Sequence, residues 1–297
     1  MNNKTEGRII KSVAGFYYVL FNDEVFQCRG RGNFRKKKIT PVVGDWVVFE
    51  STNPTDGYIL DVKERKNELN RPPISNVDQA ILVFSAVRPE FSTALLDRFL
   101  VHIEDNGIQP VICITKMDLI ESNEYQQEIE NYITAYRKLG YDVLPTSAMS
   151  LAGMEAIKPI FKGKTSVFAG QSGVGKSSLL NALMPELMLE TNDISDHLGR
   201  GKHTTRHVEL LPYGEGLIAD TPGFSSLDFV EIETEELSYN FPEMKERVSD
   251  CKFRGCTHSS EPKCAVKEAV EEGEIPRFRY DHYLEFLQEI KEQKRRY

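Results

Sequence analysis

The segment Gly170-Gln171-Ser172-Gly173-Val174-Gly175-Lys176-Ser177 has the GxxxxGKS spacing of a phosphate-binding loop, and Ser178 follows it. Its glycines let the backbone wrap a phosphate chain with N–H groups turned inward, while Lys176 can bridge the β- and γ-phosphates and the Ser177 hydroxyl can ligate Mg²⁺. All positions from Gly170 to Ser178 are therefore expected as nucleotide contacts. Further on, Leu217-Ile218-Ala219-Asp220-Thr221-Pro222-Gly223 ends an apolar run in a carboxylate and then turns. Asp220 can hold the Mg²⁺ ion through water, and the Gly223 amide can meet a γ-phosphate where a side chain would clash. Between these motifs lies a glycine-rich polar stretch in which a hydroxyl of Thr204 or Thr205 can complete the Mg²⁺ shell.

A phosphate loop accepts ATP as readily as GTP, so discrimination must come from residues that meet the base. In Ile114-Thr115-Lys116-Met117-Asp118, after an apolar run, the Asp118 carboxylate can accept two N–H donors from the guanine edge. Adenine offers no such pair, and leaving a buried carboxylate unpaired is costly enough to discriminate. Lys116 can lay its methylenes across the purine ring, and Thr146-Ser147-Ala148 can supply a backbone amide to guanine O6. Each tetrapeptide alone is commonplace; beside the GKS loop they form a set.

Cys251, Cys256, His258 and Cys264 place three thiolates and an imidazole within 14 residues. That donor set suits tetrahedral Zn²⁺, and with all four positions filled by protein the ion would be structural rather than catalytic. Cys28 and Cys113 sit inside apolar runs and read as core. A basic run comprises Arg29, Arg31, Arg35, Lys36, Lys37 and Lys38, with no acidic residue between Glu24 and Asp45. Phe34 stands among these guanidiniums, a combination able to stack on bases while neutralising phosphates, so RNA is the expected partner.

These residues need a frame. The chain has 297 residues, 40% hydrophobic and 28% charged, a globular composition with a length suited to about two domains. No run of about 18 apolar residues exists, so no membrane partner is expected. The first residues lack an apolar signal segment, and the cysteine pattern suits a reducing compartment, so a cytoplasmic location is expected. The net charge of −8 is unevenly spread: residues 1–67 hold 12 basic and 8 acidic side chains, net +4, leaving −12 for the rest. Short strands are expected at 7–13, 15–21, 24–28, 45–50 and 57–64, with β-branched and aromatic residues between turn signals. Five such strands suggest a small barrel, of which the oligonucleotide-binding (OB) type is one, with the basic run projecting as a loop. Apolar strands at 79–85, 110–115, 142–145, 166–169, 207–211 and 217–220 then alternate with amphipathic helices at 94–103, 124–139 and 176–184. This predicts an α/β region with a parallel sheet covered on both faces. Beyond residue 231 the chain reads as acidic and helical, ending in a helix over 277–294.

In GQSGVGKS, the Thr204-Thr205 region, DTPG, TKMD and TSA the chain resembles the TRAFAC-class GTPases, with the base-reading elements preceding the phosphate loop. That order is a circular permutation, and with a barrel in front and a Cys/His segment behind, nearly the whole chain resembles the ribosome-small-subunit-dependent GTPase A family. The resemblance implies an OB-type β-barrel at 1–67, a circularly permuted P-loop GTPase domain at 68–230 and a helical zinc-binding domain at 231–297. It further implies GTP/GDP, Mg²⁺ and one structural Zn²⁺ as cofactors, and hydrolysis of GTP to GDP and phosphate by a monomer bound to the 30S subunit and its rRNA during late maturation. Intrinsic hydrolysis would be low and stimulated by the subunit. Two positions depart from the common pattern. Thr115 stands where asparagine is usual, removing an amide that braces the base loop, and Phe224 stands where many GTPases place a water-orienting glutamine. The resemblance implies that His203 takes over that catalytic role; its residue type and loop position alone fit a solvated or phosphate-facing histidine equally well.

Overall fold

The computed structural model describes residues 4–31, 34, 39–70, 72–147, 149–185, 208–220, 227–229 and 232–295. The first five strands are β1 (Thr5–Val13), β2 (Phe16–Phe21), β3 (Glu24–Gly30), β4 (Trp46–Ser51) and β5 (Gly57–Val62). They pair in the order β1-β2-β3-β5-β4, and β4 returns to β1 with Thr5 opposite Phe49, closing a five-stranded OB-like barrel. Alternation drives the closure: Ile9, Val19, Cys28, Val47 and Ile59 are fully buried within it. Closing a sheet this way also removes its free edges.

The chain then forms a small hairpin, β6 (Glu68–Asn70) and β7 (Pro73–Ser75), where the sequence showed only a polar stretch. Three-residue strands carry too few side chains to display a period. Next come β8 (Gln79–Ser85), β9 (Gln109–Thr115), β10 (Asp142–Pro145), β11 (Thr165–Ala169), β12 (Glu209–Tyr213) and β13 (Gly216–Asp220). The order β10-β9-β8-β11-β13 is parallel throughout. Successive side chains alternate between two cores: Ala80, Leu82 and Phe84 of β8 face one, and Ile81 and Val83 face the other. The helices α1 (Thr93–Asp105) and α2 (Asn123–Lys138) cover the first face. The short α3 (Met154–Ile157) and α4 (Lys176–Leu183) cover the second. Ser92 and Ser122 cap α1 and α2, each side chain accepting from the backbone amide three residues on at 3.3 Å.

The strand expected at 207–211 lies two residues later and runs antiparallel to β13. Its outer edge pairs with β1, Lys11 opposite Glu209, so barrel and parallel sheet join in one eleven-stranded sheet. A buried arginine reinforces this joint. Arg8 donates to Thr165 Oγ1 at 2.6 Å, Asn76 O at 2.7 Å and Gly44 O at 3.2 Å. Gly44 is required there, since its φ is 93° and a Cβ would lie 2.0 Å from Ser75 O.

The C-terminal segment contains α5 (Pro242–Lys245), α6 (Ala265–Glu271) and α7 (Arg277–Arg295) around its own apolar cluster. It is fixed to α1 by buried charges: Arg279 reaches Asp97 Oδ1 at 2.6 Å and Glu243 Oε1 at 2.7 Å, and His282 Nδ1 lies 2.6 Å from Asp97 Oδ2. Among the described residues, no helix is long and apolar enough to cross a membrane.

Candidate active site and metal centre

The C-terminal ends of β8, β9, β10, β11 and β13 share one edge of the sheet, the place where open α/β sheets present ligand-binding loops. The phosphate loop leaves β11 and enters α4 through Gly170, Gly173 and Gly175, whose φ values are 142°, 76° and 98°. Gly170 must be glycine also because a Cβ would lie 2.1 Å from Val83 O. Val174 is buried and pins the loop, while Gln171, Ser172 and Gly173 are exposed and Lys176, Ser177 and Ser178 half-buried. Lys176 folds back on the loop, its ammonium donating to Gly170 O at 2.7 Å and Gln171 O at 2.5 Å. Burial pushes its pKa down to about 8.

Base-site residues from β9 reach this loop. Lys116, in a left-handed conformation with φ 58°, donates to Gly173 O at 2.7 Å and to Arg88 O at 2.5 Å. The neighbouring Thr115 is buried, with its hydroxyl 2.5 Å from Val174 O and 3.2 Å from Phe84 O. The brace expected to be missing with the asparagine amide is thus made by a hydroxyl, and Thr115 faces protein carbonyls rather than open space. Sequence reasoning missed this because the partner is 59 residues away. Asp118 is exposed on the turn beyond. Ser147 is buried, and its own amide donates to Ala152 O at 3.0 Å; Ser147 therefore braces the loop that leads to Ala148.

The Cys/His residues also converge. The ligand atoms of Cys251, Cys256, His258 and Cys264 all lie within 4.8 Å of one another. A tetrahedron with Zn–S bonds of about 2.3 Å has sulfur–sulfur edges of about 3.8 Å. Cys251 and Cys264 are 3.9 Å apart, and His258 Nδ1 lies 3.6 Å and 3.3 Å from them, so the cage fits the ion. Glu261 tightens the turn by accepting from the Thr257 and Ser259 amides, both at 2.9 Å. Although burial alone raises its pKa, these hydrogen bonds hold its carboxyl down at about 2. Tyr280 and Tyr283 of α7 donate to His258 O at 2.6 Å and Thr257 O at 2.7 Å, tying cage to helix.

Comparison with known proteins gives two family matches: residues 62–230 match the RsgA GTPase family, and residues 6–59 match the RsgA N-terminal domain. The chain belongs to the RsgA GTPase family and is a GTP hydrolase. A Bacillus subtilis (strain 168) protein described as small ribosomal subunit biogenesis GTPase RsgA is 64% identical over 98% of this chain and 99% of its own. One of the same description from Halalkalibacterium halodurans is 62% identical over 98% and 99%. Among solved structures, YloQ, a circularly permuted GTPase, superposes with a TM-score of 0.87 at 58% identity over 98% of this chain and 96% of that one. YjeQ from Thermotoga maritima gives 0.86 at 37% identity over 97% and 99%.

Within this RsgA-family fold, the permuted order has a plain spatial meaning: Thr115 and Lys116 of TKMD precede the phosphate loop in sequence yet bond to it, at the sheet edge where β10 also ends. Ala148, His203, Thr204, Thr205, Gly223, Phe224 and the side chain of Asp220 lie outside the described residues. So do Arg35, Lys36, Lys37 and Lys38 of the basic run, while Arg29 and Arg31 are exposed on the barrel. One expectation is corrected: Phe34 is only 6% exposed and packs in the barrel core, so it cannot stack on a base. Among the described residues the barrel instead exposes Trp46 and Tyr58; Tyr58 lies opposite Arg29, whose guanidinium lies 5.2 Å over the Phe16 ring. Alternation along β5 was the available signal, since Tyr58 lies between buried Gly57 and Ile59. Cys28 and Cys113 are fully buried, and burial pushes both thiols up to about 12, which suits packing and not chemistry.

Proposed function

We propose that this GTPase binds the small (30S) ribosomal subunit and hydrolyses GTP to GDP and phosphate during late subunit maturation, with hydrolysis stimulated by the subunit. The observation that carries the nucleotide part of this reading is the joining of base loop to phosphate loop: consecutive residues Thr115 and Lys116 hold consecutive carbonyls, Val174 O and Gly173 O. It is supported by the close relatives described as small ribosomal subunit biogenesis GTPases.

In this reading Asp118 accepts the guanine N–H pair, Lys116 covers the ring and the Ala148 amide meets O6. Amides from Gly170 to Ser178 and Gly223 cradle the phosphates. Lys176 exchanges its two carbonyl partners for phosphate oxygens, a stronger charge-assisted pairing. Ser177, Asp220 and one of Thr204 or Thr205 would hold Mg²⁺, which supplies charge neutralisation at the β- and γ-phosphates. His203 orients the attacking water. Cys251, Cys256, His258 and Cys264 would hold a structural Zn²⁺ that stiffens the C-terminal segment. Arg29, Arg31, Arg35, Lys36, Lys37 and Lys38 contact rRNA, with Tyr58, which lies opposite Arg29, available to stack on a base. The three parts divide at 1–67, 68–230 and 231–297, and the protein acts as a cytoplasmic monomer.

The decisive measurement is multiple-turnover phosphate release from GTP and from ATP, with and without purified 30S subunits. The expected result is release from GTP alone, accelerated at least about ten-fold by subunits, a barrier change of about 1.4 kcal/mol. Equal rates with and without subunits would overturn the ribosomal reading, and equal use of ATP would overturn the base-site assignment.

A further inference from the structure

Four and six residues after Gly223 of the DTPG motif come Leu227 and Phe229, and these residues occupy a seat with two walls. One wall is Arg98 of α1, whose Nη1 donates to Leu227 O at 3.2 Å. The other is α7, where Glu289 takes Arg98 as a bidentate partner, with Nη1 3.0 Å from Oε1 and Nη2 on Oε2. The guanidinium lies 4.6 Å over the Phe229 ring and 4.8 Å over Phe286, and the two rings are 5.0 Å apart. His102, one turn further along α1, stacks on the Phe229 ring at 5.2 Å. One cation therefore binds a carbonyl of the chain leaving the phosphate site, a ring of that chain, and two side chains of the C-terminal helix.

A fixed C-terminal helix is the natural counterpart of such a seat. Arg279, Asp97 and Glu243 form a buried ion cluster between α7 and α1, and separating such charges leaves them uncompensated. This opposes a swing of residues 231–297 as a body when nucleotide changes. Leu227 and Phe229 are then the chain that is held against α7 as a wall.

We propose that Arg98 is a positioning residue of the GTPase: with Phe286 and Glu289 it anchors the chain that leaves DTPG, and through this seat the phosphate site and the C-terminal segment sense each other. Arg98 is fixed on α1 and acts only through Leu227 and Phe229. A planar fork suits the role, since a lysine could hold Glu289 but could not also cap two rings and a carbonyl. The seat continues to the metal cage, because the α7 helix that supplies Phe286 also supplies Tyr280 and Tyr283. The proposal rests on the assignment of Asp220 and Gly223 to the γ-phosphate side of the site.

The test is hydrogen exchange of the full-length protein with GDP and with a non-hydrolysable GTP analogue, in the wild type and in Arg98→Ala, together with steady-state kinetics. In the wild type, exchange across 227–232 and across 284–290 should both change with the γ-phosphate. In Arg98→Ala, 227–232 should exchange faster in both states and 284–290 should stop responding. The kcat should fall about ten-fold, with KM for GTP within about two-fold, because no nucleotide contact is touched. Arg98→Lys, which keeps the Glu289 charge pair, should be intermediate and guards against misfolding of the alanine variant. A response of 284–290 that survives in both variants, or an unchanged kcat, overturns the proposal. If peptides covering 170–178 respond to nucleotide but nothing in 208–232 distinguishes the analogue from GDP, the γ-phosphate assignment has failed, and the proposal falls with it.

Discussion

Replacing Thr115 by valine keeps the shape of the side chain and deletes one hydroxyl, which isolates the brace between base loop and phosphate loop. A hydroxyl has one proton, and the 2.5 Å contact to Val174 O takes it in preference to the 3.2 Å contact to Phe84 O. Because the peptide unit is planar and trans, holding Val174 O toward Thr115 turns the Gly175 N–H the opposite way, into the loop. Holding Gly173 O on Lys116 turns the Val174 N–H likewise. Glycines on both sides of Val174 make these peptides easy to rotate, so the aim of two phosphate-cradling amides depends on the two braces.

Withdrawing a donor from a buried carbonyl costs about 1–3 kcal/mol. If about 2 kcal/mol of preference for the aimed peptide is lost, at about 1.4 kcal/mol per factor of ten, its bias falls about 30-fold. Apparent affinity falls with the population of the competent loop. Thr115→Val should therefore weaken GDP and GTP binding by about 5- to 30-fold, read from the binding and dissociation of a fluorescent guanine nucleotide. The same loss should lower Tm by only a few degrees. Thr115→Ser keeps the hydroxyl and should restore affinity to within about two-fold. A fall in Tm with unchanged nucleotide affinity would show that the brace serves only the fold and refute the argument about amide aim.

Two further perturbations test the site by different physics. Burial lowers the Lys176 pKa to about 8 in the free protein, and phosphate charge must raise it on binding, so nucleotide affinity should be flat below pH 7 and fall as pH rises through 8 to 9; calorimetry in buffers of different ionisation enthalpy should find proton uptake at pH 8.5, and its absence would contradict a charge-pairing role for Lys176. Removing one thiolate in Cys256→Ser should abolish stoichiometric zinc in the purified protein and lower Tm by several degrees while guanine nucleotide binding stays within about two-fold, and full retention of zinc by that variant would displace Cys256 from the cage.

Much of the frame was legible because its signals are local. The runs at the centre of β8 and β9 and through the last three residues of β11 are continuously apolar, as expected of strands covered on both faces, and the glycine spacing before Lys176 dictates its loop without reference to the rest of the chain. What escaped depends on partners distant in sequence. Phe34 among arginines reads as a nucleic-acid contact until the barrel closes and buries it. Arg279 reads as one more charge on a polar helix, yet its partner Asp97 lies 182 residues earlier. The antiparallel sense of β12 could not be read from its five residues, because direction is set by the tight turn to β13 and by the barrel strand waiting on its other edge.

That barrel strand bears on why both appended parts sit where they do. The sheet runs β10-β9-β8-β11-β13-β12 and then continues into β1, so the base-reading turns after β9 and β10 occupy the edge far from the barrel. The barrel instead adjoins β12, the strand that follows the Thr204-Thr205 stretch in sequence, with Lys11 and Glu209 paired at 2.7 Å across the joint. On the other side, the chain leaving β13 passes Asp220 and Gly223 and is received by Arg98 and α7. Starting the GTPase region at β8 rather than at β11 is what makes this possible, because that region then finishes near the strand carrying Asp220 and is followed by the C-terminal segment. A conventional order would bury the same exit among further sheet strands. The C-terminal segment thus receives Leu227 and Phe229, which follow the DTPG motif, while the barrel adjoins β12, two strands from β11 and the loop that leaves it. If Asp220 and Gly223 meet the γ-phosphate as proposed, nucleotide state is read on the β13 flank of β11, opposite the flank that carries the turns after β9 and β10, and it reaches the C-terminal segment through Leu227 and Phe229.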